Sequence, residues 1–207
     1  MTQTPRASII INNYNYGRFL AEAIDSALAQ TYANTEVIVV DDGSTDSSRE
    51  IIKQYGDRCT AIEQENGGQG AAYNEGFAAL RGDFVCFLDA DDALHPSAMS
   101  QVATAFEDRH LVKVEWQMEV IDEHGRKNGS VVPEKPLPTD DLRAQTISNG
   151  PFYDWWITTP GSGACYRRTM LDRVLPMPAE KNRHGADVYL TVLAPIFGSV
   201  RRLTDAE

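Results

Sequence analysis

Hydrophobic and polar positions switch between two periods through the first hundred residues of the chain. Ala7–Ile11 is an unbroken apolar run, the pattern of a strand covered on both faces. From Arg18 to Gln30 the period lengthens, and Phe19, Leu20, Ala23, Ile24, Ala27 and Leu28 fall on one face of a helix. Glu36–Val40, Arg58–Glu63 and Asp83–Leu88 predict three more strands. Helices are expected between them. One opens near Ser47, where Glu50 completes a capping-box pattern, and the next spans Gly70–Leu80. Pro96 has the fixed φ that suits a first turn and starts a fourth helix, running to about Asp108.

Strands separated by helices of this length connect as right-handed crossovers. They predict an α/β fold with a mainly parallel central sheet and helices on both faces. Ligands of such sheets bind beyond the carboxyl ends of the strands. Three polar clusters stand there: Asn12-Asn13-Tyr14-Asn15, Asp41-Asp42-Gly43-Ser44 and Asp89-Ala90-Asp91-Asp92. The pattern then changes. Leu111–Asp122 reads as one longer alternating strand, and Glu123-His124-Gly125 turns it into Arg126–Val132. Pro133 to Pro151 reads as a loop around a short helix near Leu142–Ile147. Gly161-Ser162-Gly163 leads into a strand through Tyr166, Ala186–Phe197 forms a last helix, and Ser199–Leu203 is strand-like.

The cluster after Phe84-Val85-Cys86-Phe87-Leu88 carries the strongest chemical signal. Carboxylates this close repel one another unless a cation neutralises them, and hard oxygens suit Mg²⁺ or Mn²⁺ bound together with substrate phosphates. The plainer alternative is a loop in which Asp92 caps the following helix. Asp41 to Asp46 likewise reads either as a turn with an N-cap or as carboxylates that meet a base or ribose. Glu65-Asn66-Gly67-Gly68-Gln69-Gly70 is a glycine-rich turn that lets backbone approach a ligand, or an ordinary turn. Arg167-Arg168 could approach phosphates, although a solvated basic pair at a helix start is the plainer reading. Phe152, Tyr153, Trp155 and Trp156 suit either stacking on a sugar or core packing.

Composition narrows the field. With 207 residues, 42% of them hydrophobic and 24% charged, the chain suits one soluble globular domain, 1–207. A net charge of −11 argues against nucleic acid as a partner and fits recruitment of a divalent cation before an anionic substrate. Cys59, Cys86 and Cys165 lack metal-ligand spacing and read as buried thiols of a reducing, cytoplasmic protein. The apolar stretch Val188–Phe197 is too short to span a membrane. Peripheral association with the inner membrane face stays open, as does continuation of the protein past Glu207.

Taken in order and spacing, Asn13-Tyr14-Asn15, Val40-Asp41-Asp42-Gly43-Ser44, Asn66 through Asn74 and Gly76, and Phe87-Leu88-Asp89-Ala90-Asp91-Asp92 resemble the family 2 glycosyltransferases. The match is specific over Ala7–Pro96 and weaker through Gly161–Arg168 and around Asp187. The resemblance implies a GT-A fold, Rossmann-like, with a nucleotide-sugar-binding half (1–110) and an acceptor-side half (111–207). It implies transfer of a sugar from a nucleotide-diphosphate donor to a glycan or glycolipid hydroxyl, with inversion. UDP-sugars are the first candidates, and cell-surface polysaccharide or glycolipid assembly is the common setting. Asn12, Tyr14 and Gly70 would then line the nucleotide pocket, Asp42 would contact the base, Asp89 the ribose, and Asp91 would ligate Mn²⁺ or Mg²⁺. Asp187 matches the place of the catalytic base, with His184 an alternative base or third metal ligand. Two departures stand out: Ala186 replaces the glutamate usual before that base, and Tyr73 stands where many members have arginine. Two other classes use similar local sequences. Haloacid-dehalogenase phosphatases also place Asp-x-Asp after an apolar strand, but on the first strand and with Thr or Val where Ala93 stands. A non-catalytic sugar-nucleotide-binding module would keep the same donor residues.

Overall fold

The computed structural model describes residues 4–134 and 160–203. The four apolar runs become β1 (Ala7–Asn13), β2 (Thr35–Asp41), β3 (Thr60–Glu63) and β4 (Phe84–Asp89). They are joined by α1 (Gly17–Leu28), α2 (Ser48–Tyr55) and α3 (Gln69–Ala79), and followed by α4 (Ala98–Ala105). The second half holds β5 (Leu111–Trp116), β6 (Met118–Ile121), β7 (Lys127–Val132) and β8 (Ala164–Arg167). It ends with α5 (Arg168–Leu171), α6 (Ala186–Phe197) and β9 (Ser199–Leu203). One sheet runs in the order β3-β2-β1-β4-β8-β5-β9, with β6 and β7 pairing apart. All its pairings are parallel except those of β8, which is antiparallel to both β4 and β5.

Strand periodicity sorts the core onto two faces. Ile9, Ile11, Cys86 and Leu88 pack with Leu20 and Ile24 of α1 and Met99 and Val102 of α4. Ile10, Val40, Val85 and Phe87 pack on the other side with Ala72 and Tyr73 of α3 and Leu190 of α6. Helices thus cover both faces, which is why β1 and β4 read as continuous apolar runs. Cys59, Cys86 and Cys165 are free and buried, and burial pushes the Cys165 thiol far up, so it stays a neutral packing group. Among the described residues no helix is long and apolar enough to cross a membrane.

Three expectations change. The capping box at Ser47 does not form: Ser47 makes no side-chain cap bond. Its neighbour Asp46 does the work, accepting from the Ser48 N–H at 2.9 Å and the Ser48 hydroxyl at 2.5 Å. The single strand expected over Leu111–Asp122 divides at Gln117, because β5 stays buried in the main sheet while β6 leaves it to pair with β7. The third strand starts at Thr60, after a 3-10 turn over Gly56–Arg58. The short helix expected near Leu142–Ile147, and the aromatic residues Phe152, Tyr153, Trp155 and Trp156, lie outside the described residues.

Candidate active site

Strand register brings the three polar clusters to one edge. Asn12 lies opposite Asp89 and Asn13 opposite Asp41, so β1, β2 and β4 end level with one another. The first two loops are laced together. Asn13 Nδ2 donates to Asp41 Oδ1 at 2.8 Å and to Ser44 Oγ at 3.1 Å. Asn15, at a left-handed φ of 59°, accepts from the Thr45 N–H at 2.7 Å. An asparagine tolerates that conformation better than other side chains. Asp41 is fully buried and also pairs with Arg49 at 3.1 Å. Its role is to hold the turn.

Asp42 is buried as well, and its oxygens are already engaged. Oδ1 accepts from Gln64 Nε2 at 2.5 Å and the Gly67 N–H at 2.8 Å, and Oδ2 accepts from the Gly68 N–H at 2.7 Å. These bonds fold the glycine-rich turn back against β2. Gly43 has φ +79°, and a Cβ there would meet the Asn66 nitrogen at 2.8 Å, so the close approach of the two loops depends on glycine. Gly70 is also buried, but what it approaches is protein: a Cβ would meet the Asn182 carbonyl at 2.8 Å. Its missing side chain makes room for the segment before α6.

Asp89 sits half-buried at the end of β4. Its Oδ1 accepts from Asn12 Nδ2 at 2.6 Å and Gln69 Nε2 at 3.3 Å, and its N–H donates to Ser162 Oγ at 2.9 Å. Burial pushes the Asp89 carboxyl up to about 7, and the negative charges of Asp92, Asp187 and Asp91 add to the rise. Burial raises Asp92 too, against the hydrogen bond from Ser162. Asp91 is exposed at the tip of the turn. Asp187 lies in the first turn of α6. A Cβ placed on Gly161 would lie 2.9 Å from the Tyr73 hydroxyl, 3.2 Å from Asp187 Cβ and 3.9 Å from Asp89 Oδ2. Residues distant in sequence, from β4, α3, the turn before β8 and α6, therefore converge on one point.

Tyr73 is fully buried and stacks on Phe87 with ring centroids 4.0 Å apart. Burial, with the nearby charges of Asp89 and Asp187, holds its phenol far above the ordinary range. The hydroxyl is therefore neutral beside these carboxylates. Beneath α6, Lys113 and Glu115 form a buried ion pair at 2.6 Å. Lys113 Nζ also donates to Thr191 Oγ1 at 3.2 Å, one helical turn after Asp187. Tyr14 is 47% exposed just after β1, and His184 is exposed in the loop before α6.

Among the described residues no three His, Cys, Asp or Glu side chains form a ready-made metal cage. Mg²⁺ and Mn²⁺ do not need one, since they keep waters and bind through one or two carboxylates plus substrate phosphates. Exposed Asp91, with Asp89 and Asp92 behind it, fits that mode. The charges of Asp92, Asp187 and Asp91, which add to the effect of burial on Asp89, are an imbalance that a divalent cation relieves.

The sequence profile of glycosyl transferase family 2 matches residues 8–175. The chain belongs to this family. An uncharacterized glycosyltransferase of Nostoc sp. is 37% identical over 204 residues, covering 97% of this chain and 62% of that protein. One from Rickettsia typhi is 39% identical over 143 residues, covering 68% of this chain and 45% of that protein. The chain therefore spans about half to two thirds of the length of these curated relatives. Among solved structures, S. aureus TarS (residues 1–349) in complex with UDP-GlcNAc superposes with a TM-score of 0.76 at 24% identity, covering 97% of this chain and 56% of that one. The mannosyltransferase PcManGT of Pyrobaculum calidifontis, in complex with GDP-Man and Mn²⁺, gives 0.69 at 18% identity over 99% of this chain and 56% of that one. These likenesses establish the GT-A fold.

In this family 2 domain the structure brings Asn12, Asp89, Asp91 and Asp187 to one place beyond the carboxyl ends of the strands and turns Gly70 inward. Arg167 does not reach it. Because β8 is antiparallel, Arg167 lies at the opposite edge, beside Phe84, donating to the carbonyls of Leu111, Phe106 and Asp108 at 2.7–3.0 Å. Arg168 pairs with Asp172 instead. Gln69 and Ser162 are the contacts that sequence reading missed. Both are flanked by glycines, Gln69 at the start of α3 and Ser162 in the turn before β8, and only their spatial partners set them apart from ordinary connecting residues.

Proposed function

We propose that the domain transfers a sugar from a nucleoside-diphosphate donor to an acceptor hydroxyl with inversion at the anomeric carbon. The observation that carries this is the meeting of Asp89 and Asp187 around Gly161 at the carboxyl edge of a parallel sheet. Tyr14 and Asn12 flank the nucleoside, and Asp42 meets the base or holds the turn that does. Asp89 faces the ribose, and Asp91, the most open carboxylate, holds Mn²⁺ or Mg²⁺ with the diphosphate. A bound cation supplies positive charge where the leaving diphosphate develops negative charge. Asp187 accepts the proton of the acceptor hydroxyl as its oxygen attacks the anomeric carbon. The bond to the diphosphate oxygen breaks, and its electron pair leaves with the nucleotide. The UDP-GlcNAc held by TarS favours UDP-sugars as the first donors to try.

Calorimetry with UDP and Mn²⁺, followed by a mass-spectrometric screen of UDP-, GDP- and dTDP-sugars, tests the reading. Asp91→Ala is expected to abolish metal-dependent donor binding. Asp187→Asn is expected to bind donor nearly as wild type does and to lose transfer by roughly a hundredfold or more, the scale of a lost general base. Equal loss of binding in both variants would refute the separate roles. Binding without transfer or hydrolysis of any sugar nucleotide would favour a non-catalytic module.

A further inference from the structure

We propose that Gln69 is a positioning residue for sugar transfer: its single side-chain amide ties the donor-side carboxylate of Asp89 to the first turn of α6 and so sets the separation between donor and base. This rests on the reading of the site given above.

An amide has one accepting and one donating end, and Gln69 uses both. Oε1 accepts from the Gly185 N–H at 3.0 Å and the Ala186 N–H at 2.9 Å, the first free donors of α6. Nε2 donates to Asp89 Oδ1 at 3.3 Å. The reverse orientation would set NH₂ against two N–H groups and an oxygen against a carboxylate, so the partners themselves fix the amide. The N-cap residue Gly185 has no side chain to offer, and Gln69 supplies the missing cap from another helix. The service is returned. Gln69 N–H donates to the Arg183 carbonyl at 3.0 Å and Gly70 N–H to the Asn182 carbonyl at 2.9 Å, which satisfies the start of α3. Gln69 of α3 therefore caps α6, and the segment leading into α6 caps α3. Glycine makes the approach feasible, since a Cβ on Gly68 (φ +87°) would lie 2.7 Å from Arg183 Cα.

Asn12 already satisfies the same Asp89 oxygen at 2.6 Å, so Asp89 does not depend on Gln69 for a hydrogen-bond partner. What Gln69 adds is register. Asp187 is the second residue of α6, and a shift of that turn moves its carboxylate directly. Misplacing a reacting group by about 1 Å can cost on the order of a hundredfold in rate.

Gln69→Met keeps the length and removes both polar ends. It is expected to lower kcat between about tenfold and a hundredfold while KM and the calorimetric Kd for UDP with Mn²⁺ change less than about threefold. Gln69→Glu keeps an acceptor for the α6 amides but cannot donate to Asp89. Hydrogen exchange at the Gly185 and Ala186 amides separates the two ends. Wild type should show slow exchange that slows further when UDP and Mn²⁺ bind. Gln69→Glu should keep the first and lose the second, and Gln69→Met should lose both, with thermal melts confirming that each variant is folded. A parallel fall of kcat and donor affinity, or unchanged ligand-induced protection in Gln69→Glu, would overturn the proposal. A wild-type protein that binds no sugar nucleotide overturns the site reading itself, and that failure is visible before any substitution is made.

Discussion

Two influences act on Asp89 in the same direction: it is partly withdrawn from water, and it is surrounded by Asp92, Asp187 and Asp91. In the metal-free protein its carboxyl should titrate near 7, displaced upward from the ordinary aspartate value of 3.8 by burial first and by those charges second. The sign for stability follows from which state holds the proton. Between about pH 4 and 7 the unfolded chain has lost this proton and the folded protein keeps it, so stability falls as pH rises through that window and levels off above it. Asp89→Asn should remove that part of the slope. Thermal unfolding of metal-free wild type and variant across the window measures it, and identical slopes would refute the assignment. The same residue shows the limit of reading spacing alone. Its place after an apolar run marked it as a site residue, but its partners Asn12, Gln69 and Ser162 come from β1, α3 and the turn before β8.

At the scale of elements, the loops around the cleft are stiffened by side chains that bridge between elements. Asp46 is the clearest case. Oδ1 caps α2 through Ser48, while Oδ2 accepts from the Gly17 N–H at the start of α1 at 2.9 Å. Asp46→Ala should destabilise the domain by about 1–2 kcal/mol, the range for a lost cap, as read from urea unfolding. Ser47→Ala, at the residue that the capping-box pattern singled out, should cost less than about 0.5 kcal/mol, the ordinary range for a substitution away from such features. Local pattern located the helix start to within a residue. It named the wrong cap, because the choice between Ser47 and Asp46 depends on where α1 begins in space.

For the whole molecule, a buried ion pair within β5 reaches α6 through the hydrogen bond from Lys113 to Thr191. Lys113 and Glu115 are each about 1% exposed and sit 2.6 Å apart, and burial alone would lower Lys113. The Glu115 carboxylate, through its charge and hydrogen bond and together with Tyr166 and Asp187, outweighs that and holds its pKa up. Lys113→Met strands a buried carboxylate and should cost about 3–5 kcal/mol, whereas Lys113→Met with Glu115→Leu should recover most of it. Urea unfolding of the single and double variants checks this, and an equally unstable double variant would refute pairing as the cause. The alternation of Leu111–Trp116 announced a strand but gave no reason to expect two charges inside the core.

Periodicity and turn residues sufficed for the parallel strands β1 to β4, the helices between them and the polar edge where they end, because each depends on neighbours within a few turns of chain. The family was legible as well, through the resemblance of motifs that run in order along the first half. Three things waited for the tertiary structure: the reversed strand β8 that carries Arg167 to the opposite edge of the sheet, the inward packing of Gly70, and the capping of α6 by Gln69 of α3. Each is a relation between segments far apart in sequence, decided by which backbone groups are left without partners once the sheet has closed, and no local pattern records that.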